Sequence, residues 1–198
     1  MPSASAGPSI VKSVRQRQLL NAWLRLTAKH GGLPSVADFE IDRFTEEKQD
    51  MIFCAVTFDR GIPCYVVTFD GQRLVDAFGM TGAGRRLEDV LGPERAAATL
   101  PIYNECIARA RPSYSIRRVV DVRGREVDYE RLLLPFGNEN RVDTIVGSLK
   151  TISEDGGFQQ KNLMRTEHAP VLHAVHAIID QSDQPRLPAA STEDIVEL

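Results

Sequence analysis

The chain is poor in cysteine, tryptophan and net charge, and it has no long apolar run. Only three cysteines occur among 198 residues: Cys54, Cys64 and Cys106. Their odd number and wide spacing fit reduced thiols better than a disulfide framework, and no CxxC pair offers a zinc or thioredoxin-type site. They read as reduced thiols in a reducing compartment. A formal net charge of -3 gives no electrostatic reason for nucleic acid or an anionic membrane surface as partner. No stretch approaches the ~20 apolar residues of a membrane span. The opening MPSASAGPSI has no basic segment followed by an apolar run, so no secretory leader is expected. A cytoplasmic chain without membrane insertion is the expectation.

Catalytic signatures are missing too. There is no GxSxG, HExxH or GxxxxGK[ST], and no CxxCH for covalent haem. His168, His173 and His176 cluster late in the chain, and on a helix His173 and His176 would share a face. No third ligand completes a metal site, so no metal is expected. The stretch 93–111 carries no histidine that would ligate haem. Cys106 lies in NECIARA, which lacks the rest of the Asn-Cys-Arg pattern that flavin photochemistry requires. It reads as a small buried hydrophobe, as do Cys54 and Cys64. GMTGAGRRLEDVL offers glycines and arginines to an anion but does not leave a parallel sheet, and reads as a connector. Arg85, Arg86, Arg117, Arg118, Arg123 and Arg125 suit the phosphates of a cyclic dinucleotide. Asp121, Glu126, Asp128 and Glu130 interleave with them, however, and cross-strand ion pairing on a wet sheet face accounts for them more simply. No enzyme activity and no cofactor are expected.

What is present suits a soluble globular domain with appendages: 42% hydrophobic and 26% charged residues. Residues 1–10 are small and polar and are expected to be disordered. Residues 11–49 read as an N-terminal helix and a linker. Leu19, Leu20, Trp23 and Leu24 recur at helical spacing, Ser13 and Gln16 suit a capping box, and Gly31 and Gly32 supply a left-handed stop. The stripe suits packing on its own domain or on a second copy. MIFCAVTF and PCYVVTF read as two strands around DRGI. Short helices broken at glycines follow, then a helix opened by Gly92-Pro93-Glu94 and interrupted at Pro101. YSIRRVVDV, EVDYERLLLPF and VDTIVGSLKTI read as three successive antiparallel strands. In the last hairpin, Leu132, Leu134, Ile145 and Leu149 are expected to form the apolar face. Residues 153–198 read as a tail, with a short helix over 169–180. One five-stranded antiparallel sheet with helices on one face, plus the N-terminal amphipathic helix, is an α+β architecture.

This order resembles the PAS fold, in which the first and last strands sit centrally. The text resembles a PAS-like family of alphaproteobacteria, largely single-domain proteins, over roughly residues 15–152. The likeness is carried by Trp23, Gly31, Gly32, Leu33, Pro34, Ser35 and Asp38 in the opening block. Tyr65, Phe78, Gly79, Thr81, Gly82 and Leu87 carry it in the next, and YERLLLP and VDTIVGSL at the end. Val66 and the following TFDG depart from the arginine and glycine common there.

The resemblance implies a non-catalytic signalling or sensory module spanning residues 50–152. A small ligand of unidentified kind would lie against Phe53, Tyr65, Phe69, Phe78, Ile107, Leu134 and Ile145, with Gly147 leaving room or being filled by a large neighbour. Leu19, Leu20, Trp23 and Leu24 would form a homodimer interface, and output would pass to a protein partner. The alternatives are an interaction scaffold with a fully packed core and a cyclic-dinucleotide-responsive regulator.

Overall fold

The computed structural model describes residues 4–121, 123–138, 141–152, 161–165 and 172–180. The N-terminal helix α1 spans Val14–His30. Ser13 caps it by accepting from the Gln16 amide, and Gly31 ends it at φ 69°, a conformation that glycine adopts without penalty. The linker forms two short 3₁₀ turns and the single-turn α2, Thr45–Lys48. Strands β2 (Met51–Asp59) and β3 (Ile62–Asp70) make the first hairpin. Helices α3 (Gln72–Phe78), α4 (Leu87–Leu91) and α5 (Pro93–Arg109) follow, and α5 continues through Pro101. Strands β4 (Ser113–Val120), β5 (Glu126–Asn138) and β6 (Arg141–Ile152) complete the predicted set.

All five predicted strands share one antiparallel sheet. Their lateral order is β4-β5-β6-β2-β3, so the first and last strands of the set, β2 and β6, pair at its centre. This is the PAS-like α+β arrangement. The final hairpin is in register from Asp128↔Ile152 to Asn138↔Arg141, with a bulge at Phe136/Gly137.

The sheet goes further than the sequence reading. A strand β7, Leu172–Ile179, lies antiparallel against β4, where a helix was expected over 169–180. A three-residue strand β1, Ala4–Ala6, adds in parallel outside β7, within the segment expected to be disordered. The seven-stranded order is β1-β7-β4-β5-β6-β2-β3. The open edge of β4 offers a full row of backbone donors and acceptors, and LHAVHAII satisfies it as a strand better than as an isolated helix.

The central helices lie on one face of the sheet, as expected, and the N-terminal helix covers the other. Helices α3–α5 pack on one face around Tyr65, Val67, Leu74, Tyr103, Leu133 and Ile145. Helix α1 covers the other with Leu19, Leu20 and Trp23, against Tyr114, Leu132, Leu134 and Phe136. Leu19, Leu20 and Trp23 are thus spent inside the chain, at 0%, 0% and 2% exposure, and Leu24 packs beside them. This corrects the reading of that stripe as a dimer surface. The sheet face is itself apolar and supplies the nearest cover.

Candidate ligand site

The β4–β5 ladder sets Ser115 opposite Arg131 and Arg117 opposite Tyr129. Beyond Ser115 the row continues to His176 on β7, and beyond Arg131 to Leu149 on β6. Side chains alternate along a strand. Ser115, Arg117 and Val119 therefore share the α5 side, as do Tyr129, Arg131 and Leu133. Arg118 takes the opposite phase at the end of β4, where it pairs with Asp128 at 2.8 Å and Glu126 at 2.7 Å. The wet-face reading therefore holds for Arg118 and fails for Arg117. Arg131 was not singled out in the sequence at all.

Arg117 is 1% exposed and Arg131 4%. From Arg117, Nη1 donates to Thr99 Oγ1 on α5 at 3.1 Å, and Nη2 donates to the Ala98 carbonyl. Arg131 Nη2 donates to the Tyr129 hydroxyl at 3.3 Å, and its guanidinium lies over the Tyr129 ring at 5.4 Å. The same hydroxyl interacts with Arg117. Arg95, from α5, also feels Tyr129 electrostatically, and its burial pulls its pKa down. Burial first, and the like charge of Arg131 second, pull Arg117 down to about 10.

Four polar atoms in this layer are buried without a partner: Arg117 Nε, Arg131 Nε, Arg131 Nη1 and Ser115 Oγ. Among the described residues, neither arginine has an ion pair with a carboxylate. Burying a charge without a counterion costs several kcal/mol after relaxation, so the layer is expensive as it stands. Next to it, Ser113 Oγ lies 3.4 Å and Glu105 Oε2 3.7 Å from His176 Nε2. Burial lowers the His176 pKa despite Glu105. These contacts belong to β7 as a strand, so the helical spacing that suggested a metal pair does not apply. Among the described residues no group of three or more histidine, cysteine or acidic side chains suits a metal ion. His168 lies outside the described residues.

A second polar cluster sits under α1 and is structural. Glu130 Oε2 accepts from the Tyr114 hydroxyl at 2.7 Å and from the Ser13 amide at 3.1 Å. Gln16 Nε2 donates to the Ser148 carbonyl at 2.9 Å. These bonds tie the start of α1 to β4, β5 and β6.

The predicted pocket residues do not form one wall. Tyr65, Phe78, Ile107 and Ile145 are on the α5 side. Phe53, Phe69 and Leu134 lie on the α1 side, with Phe53 and Phe69 meeting edge to face at 5.4 Å. The predicted apolar face of the last hairpin divides likewise: Leu132 and Leu134 face α1, while Ile145 and Leu149 face α5. Gly147 belongs to the α5 side, but it is not an opening. A Cβ there would lie 2.8 Å from Ile52 Cγ2, 3.3 Å from Leu133 Cδ2 and 3.6 Å from the Tyr103 hydroxyl. Tyr103 in turn packs against Tyr65 at 5.2 Å, and Tyr65 donates to Asn104 Oδ1 at 2.6 Å.

The other candidate sites close on themselves. In GMTGAGRR the Gly82 amide and the Thr81 hydroxyl both donate to Asp70, at 2.6 and 2.9 Å, so the chain's own carboxylate fills the anion cradle. Arg86 pairs with Glu88 at 2.6 Å and Arg125 with Asp121 at 2.9 Å. The arginines read as candidates for a cyclic dinucleotide thus do not share one exposed face. Cys106 is buried, its thiol donating to the Arg111 carbonyl at 3.3 Å. Cys64 is partly exposed, against Arg86 Nη2 at 3.3 Å, an electropositive neighbour not anticipated. Two open clefts flank α1. One lies between it and the linker, at Arg25, Leu26, Phe39 and Phe44. The other is at the ends of α1 and α5, at Thr27, Leu33, Arg109 and Ala110.

No family model matches the chain, and no curated protein matches it significantly. Several solved structures resemble it. A light-oxygen-voltage domain studied with a flavin analogue is 15% identical, covering 58% of this chain and 85% of that one, with a TM-score of 0.43. The LOV protein of Rhodobacter sphaeroides is 17% identical, covering 60% and 68%, with a TM-score of 0.42. The LOV domain of the blue-light photoreceptor Aureochrome1, in its light state, is 12% identical, covering 59% and 91%, with a TM-score of 0.40.

Proposed function

We propose that the protein is a sensory signalling module that binds a small ligand between the sheet and α5 and relays its presence to a protein partner. The observation that supports this most is the convergence of Arg117, Arg131 and Ser115 in one buried layer with four unpartnered polar atoms. A domain that needed only stability would fill that layer with apolar side chains, because buried polar groups are ordinarily satisfied. The layer also borders β7 through His176, so its occupancy bears on the strand that extends the sheet. A cytoplasmic setting agrees with three free cysteines. No described helix is long and apolar enough to cross a membrane. The buried Leu19, Leu20 and Trp23 are not available to a second copy.

A flavin does not fit this interior. Tyr65 and Tyr103 occupy the space under α5, Ile52 and Leu133 close over Gly147, and Cys106 is engaged with its own helix end. The same packing favours a second reading, an interaction scaffold whose core takes no ligand.

Native mass spectrometry of the protein isolated without extensive dialysis separates the two. A retained molecule of low mass, released on denaturation, supports sensing. An empty protein, with a melting temperature indifferent to small-molecule libraries, supports the scaffold.

A further inference from the structure

We infer that the ligand is a small oxyanion, the size of inorganic phosphate or a short-chain carboxylate, held by the guanidiniums of Arg117 and Arg131 beneath α5. This rests on the sensory reading above and names the ligand's chemistry.

Three of the four unpartnered atoms in the layer are guanidinium nitrogens, which only donate. The fourth, Ser115 Oγ, also has a proton to give. A site whose free groups can all donate, two of them cationic at neutral pH, selects an acceptor with negative charge. Among the described residues, no carboxylate pairs with either guanidinium. Tyr129 and Thr99 contribute hydroxyls, and the Ala98 carbonyl is taken by Arg117. Glu105, on α5, lies 3.7 Å from His176 Nε2. The ligand must be small, because Tyr103, Ile52 and Leu133 fill the adjoining space around Gly147. Oxygen anions fit guanidinium N–H geometry better than a spherical halide does, so chloride is the control.

The test is a thermal melt and calorimetric titration of the full chain with sodium phosphate and, separately, sodium succinate, against sodium chloride at matched ionic strength. At least one oxyanion should raise the melting temperature by several degrees in a saturable way, and the responding arm tells phosphate from carboxylate. Arg131→Met and Arg117→Met should each weaken that response at least tenfold. In chloride alone, Arg131→Met should melt no lower than the parent, since it removes an uncompensated charge. That result also shows the variant to be folded. The inference is overturned if neither oxyanion acts beyond chloride, or if both variants respond like the parent. Were the oxyanions inert while native mass spectrometry found a retained neutral or cationic molecule, the sensory reading would stand without this one. With nothing retained either, both would fall.

Discussion

The Trp23 indole Nε1 on α1 donates to the Pro135 carbonyl on β5 across 2.7 Å, so the only tryptophan of the chain fixes α1 to the sheet. The bond is buried and spans 112 positions of sequence. Trp23→Phe keeps much of the apolar contact but strands the carbonyl, and should cost about 1–3 kcal/mol. Trp23→Ala should cost about 3–5 kcal/mol. Urea unfolding checks both. Sedimentation should show the same oligomeric state for Trp23→Phe as for the parent. A folded Trp23→Glu variant that turned a dimer into a monomer would contradict the inward packing.

Gly147 occupies a position where a single methyl group decides the packing. Gly147→Ala places its Cβ 2.8 Å from Ile52 Cγ2 on the neighbouring strand, and both flanking residues are buried. Overpacking of this kind costs about 1–3 kcal/mol. The clash is with one named group, so Ile52→Ala should relieve part of it. The double variant should be more stable than the sum of the two single losses predicts, by about 0.5–3 kcal/mol. Strict additivity in denaturant melts would mean that the two residues do not touch.

Much of the fold was legible because local signals agreed with one another. The Ser13 cap, the Gly31 stop, the break at Gly92-Pro93 and the strand–turn–strand texture of 51–69 each place an element boundary by backbone chemistry. The sequence of those elements then leaves few sheets that bury all five strands. The last strand was not legible for the opposite reason. LHAVHAII is short and alanine-bearing, and only the unsatisfied edge of β4, distant in sequence, makes it a strand.

The candidate site was hidden by phase. In the run Leu132-Leu133-Leu134 every residue is apolar, so the sequence does not say which one faces α5; the structure assigns Leu133. In Arg117-Arg118 both neighbours are cationic, and assigning one face to water misplaced the first of them. Both readings assumed a sheet covered on one side. Once α1 covers the second face, alternation carries Arg117 and Arg131 into the interior. The one usable signal was Arg131 standing directly before the unbroken apolar run Leu132-Leu133-Leu134.

Alkaline conditions should destabilise the protein through its buried thiols and phenols. Burial, with help from Asp70, pushes the Cys54 thiol from 9.0 up to about 12. Burial likewise pushes up Cys106, Tyr65, Tyr103 and Tyr114. All five acids are neutral when folded, and in the unfolded chain they ionise from 9.0 for cysteine and 10.0 for tyrosine. Above those values the unfolded state binds fewer protons, so stability falls as pH rises. The contribution is complete below 9.0 and is lost on the way to the folded values. Arg117 works the other way. Its folded value of about 10 lies below its ordinary value, so the unfolded state binds the extra proton between the two and this group gains stability there. Arg95, lowered by burial in the same direction, and Arg117 together do not offset five acids whose loss begins near 9. The urea midpoint should therefore decline steadily from about pH 9 upward. Cys54→Ala, which has no thiol to ionise at that site, should flatten the first part of the decline. A midpoint that held constant to about pH 10.5 would mean that these thiols and phenols reach water in the folded protein.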